Sequence, residues 1–145
     1  MYGIWLVLVG LFQSARGEAA PEVVVQGSVV PLAVVLSERG VVAETGPIAD
    51  QLVVRSADGT VTPLLANAAS KALFLDGRLR DRPAEVRGWI HPGLPYLEPV
   101  AIRVEEAGAL RTPEYYCDVC TIAVRYPQDC PCCQGPMELR FKPEP

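Results

Sequence analysis

The sequence predicts a mainly β protein: a five-stranded barrel with one short helix over residues 29–106, then a small cysteine-bearing hairpin over residues 113–142. Three observations lead there. Short runs rich in Val, Leu and Ile are separated by turn residues at close intervals. Fourteen prolines and twelve glycines in 145 residues favour short strands over long helices. All five cysteines fall between Cys117 and Cys133.

Residues 1–17 stand apart. Ile4 to Phe12 is an uncharged run of nine, the length of a signal-peptide core and too short to span a bilayer comfortably. Ala15-Arg16-Gly17 places small residues at the −3 and −1 positions of a cleavage site after Gly17. Export to an extracytoplasmic, periplasmic or secreted location is the expectation. Membrane association would come only through this segment left uncleaved. Residues 18–28 read as a linker that becomes β-prone at Val23-Val24-Val25.

The barrel elements follow in order. Leu32 to Glu44 reads as one long strand, bent or bulged near Glu38-Arg39-Gly40. Gln51 to Arg55 is the second strand, Ala57-Asp58-Gly59-Thr60 a hairpin turn, and Val61 to Leu65 the returning strand. Asn67 is placed to cap a short helix from Ala68 to Leu75 that ends at Asp76-Gly77. Ala84 to Ile90 alternates as a strand, His91-Pro92-Gly93 turns, and Tyr96 to Glu105 is the last strand. Three strands, a helix and two strands is the order of the OB-fold. The segment resembles small bacterial OB-like domains through the Asp58-Gly59 hairpin, the Ala68–Leu75 helix and Arg82 to Gly88 leading the fourth strand.

Many OB-folds bind single-stranded nucleic acid through aromatics and a basic groove. Arg78, Arg80, Arg82 and Arg87 cluster here, but Asp76, Asp81 and Glu85 interleave with them, as in a solvated face. The net charge of −4 supplies no general attraction to nucleic acid, which is not an expected partner. His91 is the single histidine and precedes Pro-Gly, as a surface turn residue does. No catalytic triad can be built around it, and no phosphate-binding glycine loop is present, so no catalytic residue is expected.

The chemistry lies in the cysteines. Cys117 and Cys120 form one C-x2-C pair, nine residues follow, and Cys130 and Cys133 form a second. Cysteines three positions apart face one ion when the chain turns tightly between them, and Zn2+ takes four such thiolates in a tetrahedron. Cys132 is a fifth sulfur, an alternative ligand or a free thiol. Cys133 is preferred because C-P-x-C matches the first pair. Thr121 to Tyr126 is expected as one arm of a hairpin, Pro127-Gln128-Asp129 as its turn and Met137 to Phe141 as the returning strand. Two knuckles on a hairpin resemble a zinc ribbon. The stretch is also similar to the short bacterial heavy-metal-binding domains, through Tyr116-Cys117, Cys130-Pro131, Cys133, Gly135, Met137 and Leu139. It departs from them in having Val119-Cys120 where they have Met-His, and in the inserted Gln134 and Pro136.

A structural Zn2+ is therefore expected, with Cu+ or iron as alternatives, and a disulfide cluster as the competing state of the same sulfurs. A c-type haem is excluded because Thr121 and Gln134 stand where its histidine would be. Three functions remain open. They are a non-enzymatic exported binding or scaffold protein with an unidentified protein partner, a thiol-redox or copper-handling protein, and a nucleic-acid-binding protein.

Overall fold

The computed structural model describes residues 20–143. The expected signal segment at residues 1–17 lies outside them. The chain is mainly β, with two antiparallel sheets and few helices.

The first strand, β1, runs Glu22–Pro31 and corrects the expected linker at 18–28. Val23, Val25 and Val29 face the core, so the segment has the alternation of a strand buried on one side. Its ten residues divide their pairing. Glu22 to Ser28 pair with β4 (Pro83–Ile90), and Ser28 to Pro31 pair with β2 (Leu52–Arg55). At the crossover Gly27 presses on the Arg55 carbonyl, where a side chain would collide. β3 (Val61–Pro63) returns from β2 through the Asp58-Gly59 turn, in which the Asp58 carboxylate accepts the Thr60 N–H at 2.9 Å. β5 (Leu97–Glu106) pairs with β4 on one side and with β6 (Ala109–Arg111) on the other.

The sheet therefore has six strands in the order β3-β2-β1-β4-β5-β6, rather than the five expected. One isolated parallel bridge, Leu64–Leu97, links the chain just beyond β3 to the start of β5.

The segment expected as a long strand from Leu32 to Glu44 opens instead as helix α1, Leu32–Glu38. Its valines favour a strand locally. Packing decides otherwise: Val35 and Leu32 cover Val30, Val53 and Val61, apolar residues on the face of the sheet turned away from the main core. Gly40, with φ of 68°, ends the helix. Its N–H donates to the Ser37 carbonyl and that of Val41 to the Leu36 carbonyl, the paired bonds of a Schellman stop.

The expected helix at 68–75 is present in its second half as α2, Lys71–Leu75. Asn67 tightens the turn before it, its side-chain oxygen accepting the N–H groups of Ala69 and Ser70. Ala72 and Leu73 of α2, with Leu79, pack on Val29, Leu52, Val54, Val86, Leu97 and Val104.

The second sheet has three strands in the order β8-β7-β9: β7 is Pro113–Cys117, β8 is Ile122–Val124 and β9 is Glu138–Phe141. The hairpin was expected to pair the 121–126 arm with 137–141. Both arms instead pair with β7, which lies between them. A strand with neighbours on both edges loses most contact with water, and Pro113, Glu114, Tyr115 and Cys117 are all buried.

Candidate metal centre

The centre is built from two tight turns. Cys117 closes β7 and stands opposite Ile122 in register, so Asp118 to Thr121 turn back at once. Thr121 completes the turn at φ of 56°. The second turn begins at Cys130, whose carbonyl accepts the Gln134 N–H at 2.9 Å, while the Cys130 N–H donates to the Gly135 carbonyl at 2.9 Å. Gln134 sits at φ of 59°. The residue after the second cysteine of each pair is thus left-handed, which costs a side-chain-bearing residue about 1 kcal/mol or more and is least favourable for a β-branched threonine.

The four sulfurs of Cys117, Cys120, Cys130 and Cys133 lie within 4.8 Å of one another. The Sγ atoms of Cys117 and Cys133 are 3.6 Å apart. Thiolates about 2.3 Å from a tetrahedral ion stand roughly 3.8 Å from each other, so the donor set fits such an ion in number, element and spacing. All five cysteines are free thiols in this structure. Cys132 is exposed and outside the group of four, near enough to Cys120 to act on its thiol.

The peptide groups are arranged for negative sulfur. The N–H groups of Cys133 and Cys132 point at Cys130 and bring its pKa down to about 7. At Cys117 the Cys120 N–H acts the same way, but desolvation and the neighbouring Cys133 and Cys130 thiols outweigh it and the net shift is upward. The Cys132 thiol, then burial, push Cys120 upward. Four sulfurs this close resist becoming anionic together unless a cation is among them.

The cysteine sheet is seated on the first sheet by Tyr115. Its ring is 1% exposed and belongs to the main core, with Leu139, Phe141, Met137, Val124 and Tyr126 packed around it. Its hydroxyl donates to Asp76 Oδ2 at 2.7 Å. Asp76 is 8% exposed and is gripped by Arg78, which donates from Nε to Oδ1 at 2.9 Å and from Nη2 to Oδ2 at 2.7 Å. The Arg78 hydrogen bond is the largest influence on Asp76 and holds its carboxyl at about 2 against desolvation. Burial, then Asp76, push the Tyr115 phenol well above its usual range. Glu114 bonds Arg140 at 2.6 Å, and Arg140 stacks over the Tyr116 ring. From the start of α2, Lys71 lies over the Tyr126 ring.

Sequence reasoning missed this seat. Asp76 stood as a helix end and as one of the acids among the clustered arginines, and Tyr115 was not singled out. Their one trace is Tyr115 spaced two residues from Cys117 on a strand, which turns both to one face.

The other residues considered fall elsewhere. Arg80 donates to the carbonyls of Leu73 and Phe74, Arg82 bonds Glu106 at 3.0 Å, and Arg87 bonds Glu22 at 3.0 Å. With Arg78 on Asp76, each arginine of the cluster is engaged within the chain. His91 lies in its turn with its ring against Glu98. A groove of about 760 Å³ between the turns at 56–59 and 105–108 is lined mainly by polar and small residues, among them Gln26, Ser28, Arg55 and Glu105. Comparison with protein-family models, curated proteins and solved structures finds no match.

Proposed function

We propose that the chain is a non-enzymatic, exported binding or scaffold protein whose C-terminal cysteine sheet is held by a structural tetrathiolate Zn2+. The observation that carries the metal reading is the convergence of Cys117, Cys120, Cys130 and Cys133 within 4.8 Å. Tetrathiolate sites closed on all four positions serve structure, since no position is left for a reacting water. Export rests on the Ile4–Phe12 run and the Ala15-Arg16-Gly17 site. We read the 22–111 sheet as OB-like. Its support is the shared first strand, the helix between β3 and β4, and the Leu64–Leu97 bridge, extended by a 2.9 Å bond from the Leu65 N–H to the Leu97 carbonyl. The scaffold's partner would be another protein.

The test is elemental analysis of protein purified without added metal. One zinc per chain is expected, lost in Cys117→Ser and Cys130→Ser. Metal-free protein with Cys117 bonded to Cys120 and Cys130 to Cys133 would overturn the reading.

A second reading, thiol exchange or transfer of a soft metal such as Cu+, draws on Cys132, an exposed thiol beside Cys120 that a closed four-sulfur site does not need. A Cys132→Ser protein with full metal content and an unchanged rate of metal transfer to a chelator favours the structural reading. A slowed transfer favours the second.

A further inference from the structure

The turn between β4 and β5 carries no Asp, Glu, Lys or Arg. Residues 92–96 read Pro-Gly-Leu-Pro-Tyr, with no charged side chain among them, before Leu97 of β5 turns into the core. Leu94, at the tip, is 54% exposed. The turn is held in shape, since the Leu94 N–H donates to the His91 carbonyl at 3.0 Å and Gly93 takes a φ of 78°. Below the tip, Trp89 is 37% exposed on the outward face of β4. A large aromatic left half in water beside an exposed leucine is a feature of surfaces that meet another apolar phase.

The register of β1 says which phase. Glu22, the first residue of β1, lies directly opposite Trp89. The chain therefore enters the fold at the same end of the sheet as the 92–96 tip. The uncharged run Ile4–Phe12 precedes that point by nine residues, a reach of roughly 30 Å when extended. Nine residues fall well short of the ~20 that a helix needs to span a bilayer, so the run by itself is a weak anchor. The polar groups bordering the tip already have partners. Glu22 is paired with Arg87 at 3.0 Å, and the Glu98 carboxylate is in hydrogen-bond contact with the His91 ring. They form a polar collar around an uncharged point, the arrangement of a loop that stops at headgroup depth.

We infer that the Trp89–Leu94 tip is a membrane-contact surface. It rests on the lipid interface next to the N-terminal run and adds a second point of attachment wherever that run stays on the chain. A tryptophan at headgroup level and a leucine just beyond it are the residue types that an interfacial position selects. Net charge does not drive the contact, since the chain is at −4, so a zwitterionic surface suffices. The proposal is independent of the metal centre. It shares with the export reading only the apolar character of residues 4–12.

The test uses the full-length chain with the run attached, verified by intact mass. Trp5 and Trp89 are the chain's two tryptophans, so Trp5→Phe leaves Trp89 as the sole reporter. The probe is phosphatidylcholine vesicles with bromine placed high on the acyl chains. On adding vesicles, Trp89 emission is expected to shift to the blue and to be quenched. Leu94→Asp, at an exposed turn position that spares the core, is expected to abolish both changes while the chain still sediments with the vesicles through its N-terminal run. Three results overturn the inference: Trp89 unquenched in vesicle-bound protein, quenching that survives Leu94→Asp, or a chain that does not bind the vesicles. A fourth does so as well: Trp89 already shielded from aqueous iodide without lipid would show that residues 4–12 cover the tip themselves.

Discussion

The two sheets reach order by different means. The six-stranded sheet buries Val29, Leu52, Val54, Val86, Leu97 and Val104 beneath Ala72, Leu73 and Leu79, an apolar interior that Tyr115 completes. The cysteine sheet fully buries one large side chain, Tyr115, and spends that one on its neighbour's core. Its other end is four sulfurs around a point. One sheet is thus held by an apolar interior, the other by a docked tyrosine at its base, with four cysteines positioned to bind a metal ion at its tip. Similar strand pairing says little about the source of stability.

The largest perturbation available is removal of the metal. Tetrathiolate zinc contributes on the order of 10 kcal/mol in apparent terms, more than a sheet of this size has from burial. Chelation should release the amide protection of residues 113–141 and leave that of β1, β2, β4 and β5 in place, as read by hydrogen exchange. A hairpin that stays protected without metal would erase the contrast. Loss of both sheets together would show that Tyr115 couples them into one unit.

Truncating the docking residue is next. Tyr115→Ala opens a cavity in the shared core and should cost about 3–5 kcal/mol in urea unfolding. Metal content should be retained, because the four sulfurs sit beyond the ring. Loss of the metal as well would mean that docking and metal binding cannot be separated.

The Asp76 carboxyl offers a finer probe. Its folded pKa of about 2 is below the unfolded 3.8. The group therefore stabilises the fold at pH above the unfolded value, and the contribution fades as pH falls through about 2. Discounted for the exposure of Arg78, it is about 1–2 kcal/mol. The stability difference between the parent and Asp76→Asn should be full at pH 6 and shrink toward pH 2, and a difference that stays flat with pH would remove the charged contact from the account.

The smallest expected effect is a gain. Thr121 holds a φ of 56° that glycine adopts freely. Thr121→Gly should raise the unfolding free energy of the metal-bound protein by up to about 1 kcal/mol, read as a higher urea midpoint. No gain, or a loss, would mean that the Thr121 hydroxyl, bonded to the Cys120 carbonyl at 2.7 Å, offsets the strain.

Much of this architecture was legible because its signals are local. The Asp58-Gly59 turn, the His91-Pro92-Gly93 turn and the two C-x2-C pairs each act within a few residues, whereas Asn67, expected to cap the helix, tightens the turn one step before it. What was missed depends on distance along the chain. Leu32 to Glu38 has strand-forming valines, and only the need to cover Val30 and Val53 makes it a helix. Gly40, read as a bend, was its stop signal. The placing of β7 between β8 and β9 leaves no mark in cysteine spacing, which is the same for any strand order. Tyr115 and Asp76 are 39 positions apart, and nothing in either neighbourhood names the other.

The position of Tyr115 late in the chain has a consequence for synthesis. Chains emerge from the ribosome N-terminus first and fold as their partners appear. Once residue 111 is out, every strand of the six-stranded sheet has its neighbour. Asp76 is still without its phenol, and the core lacks the side chains that β7 and β9 will lay across it. A chain halted at that length presents a paired sheet with an uncovered apolar patch, the form on which chaperones and proteases act. Residues 113–141 therefore complete a core that the strands before them leave open on one side.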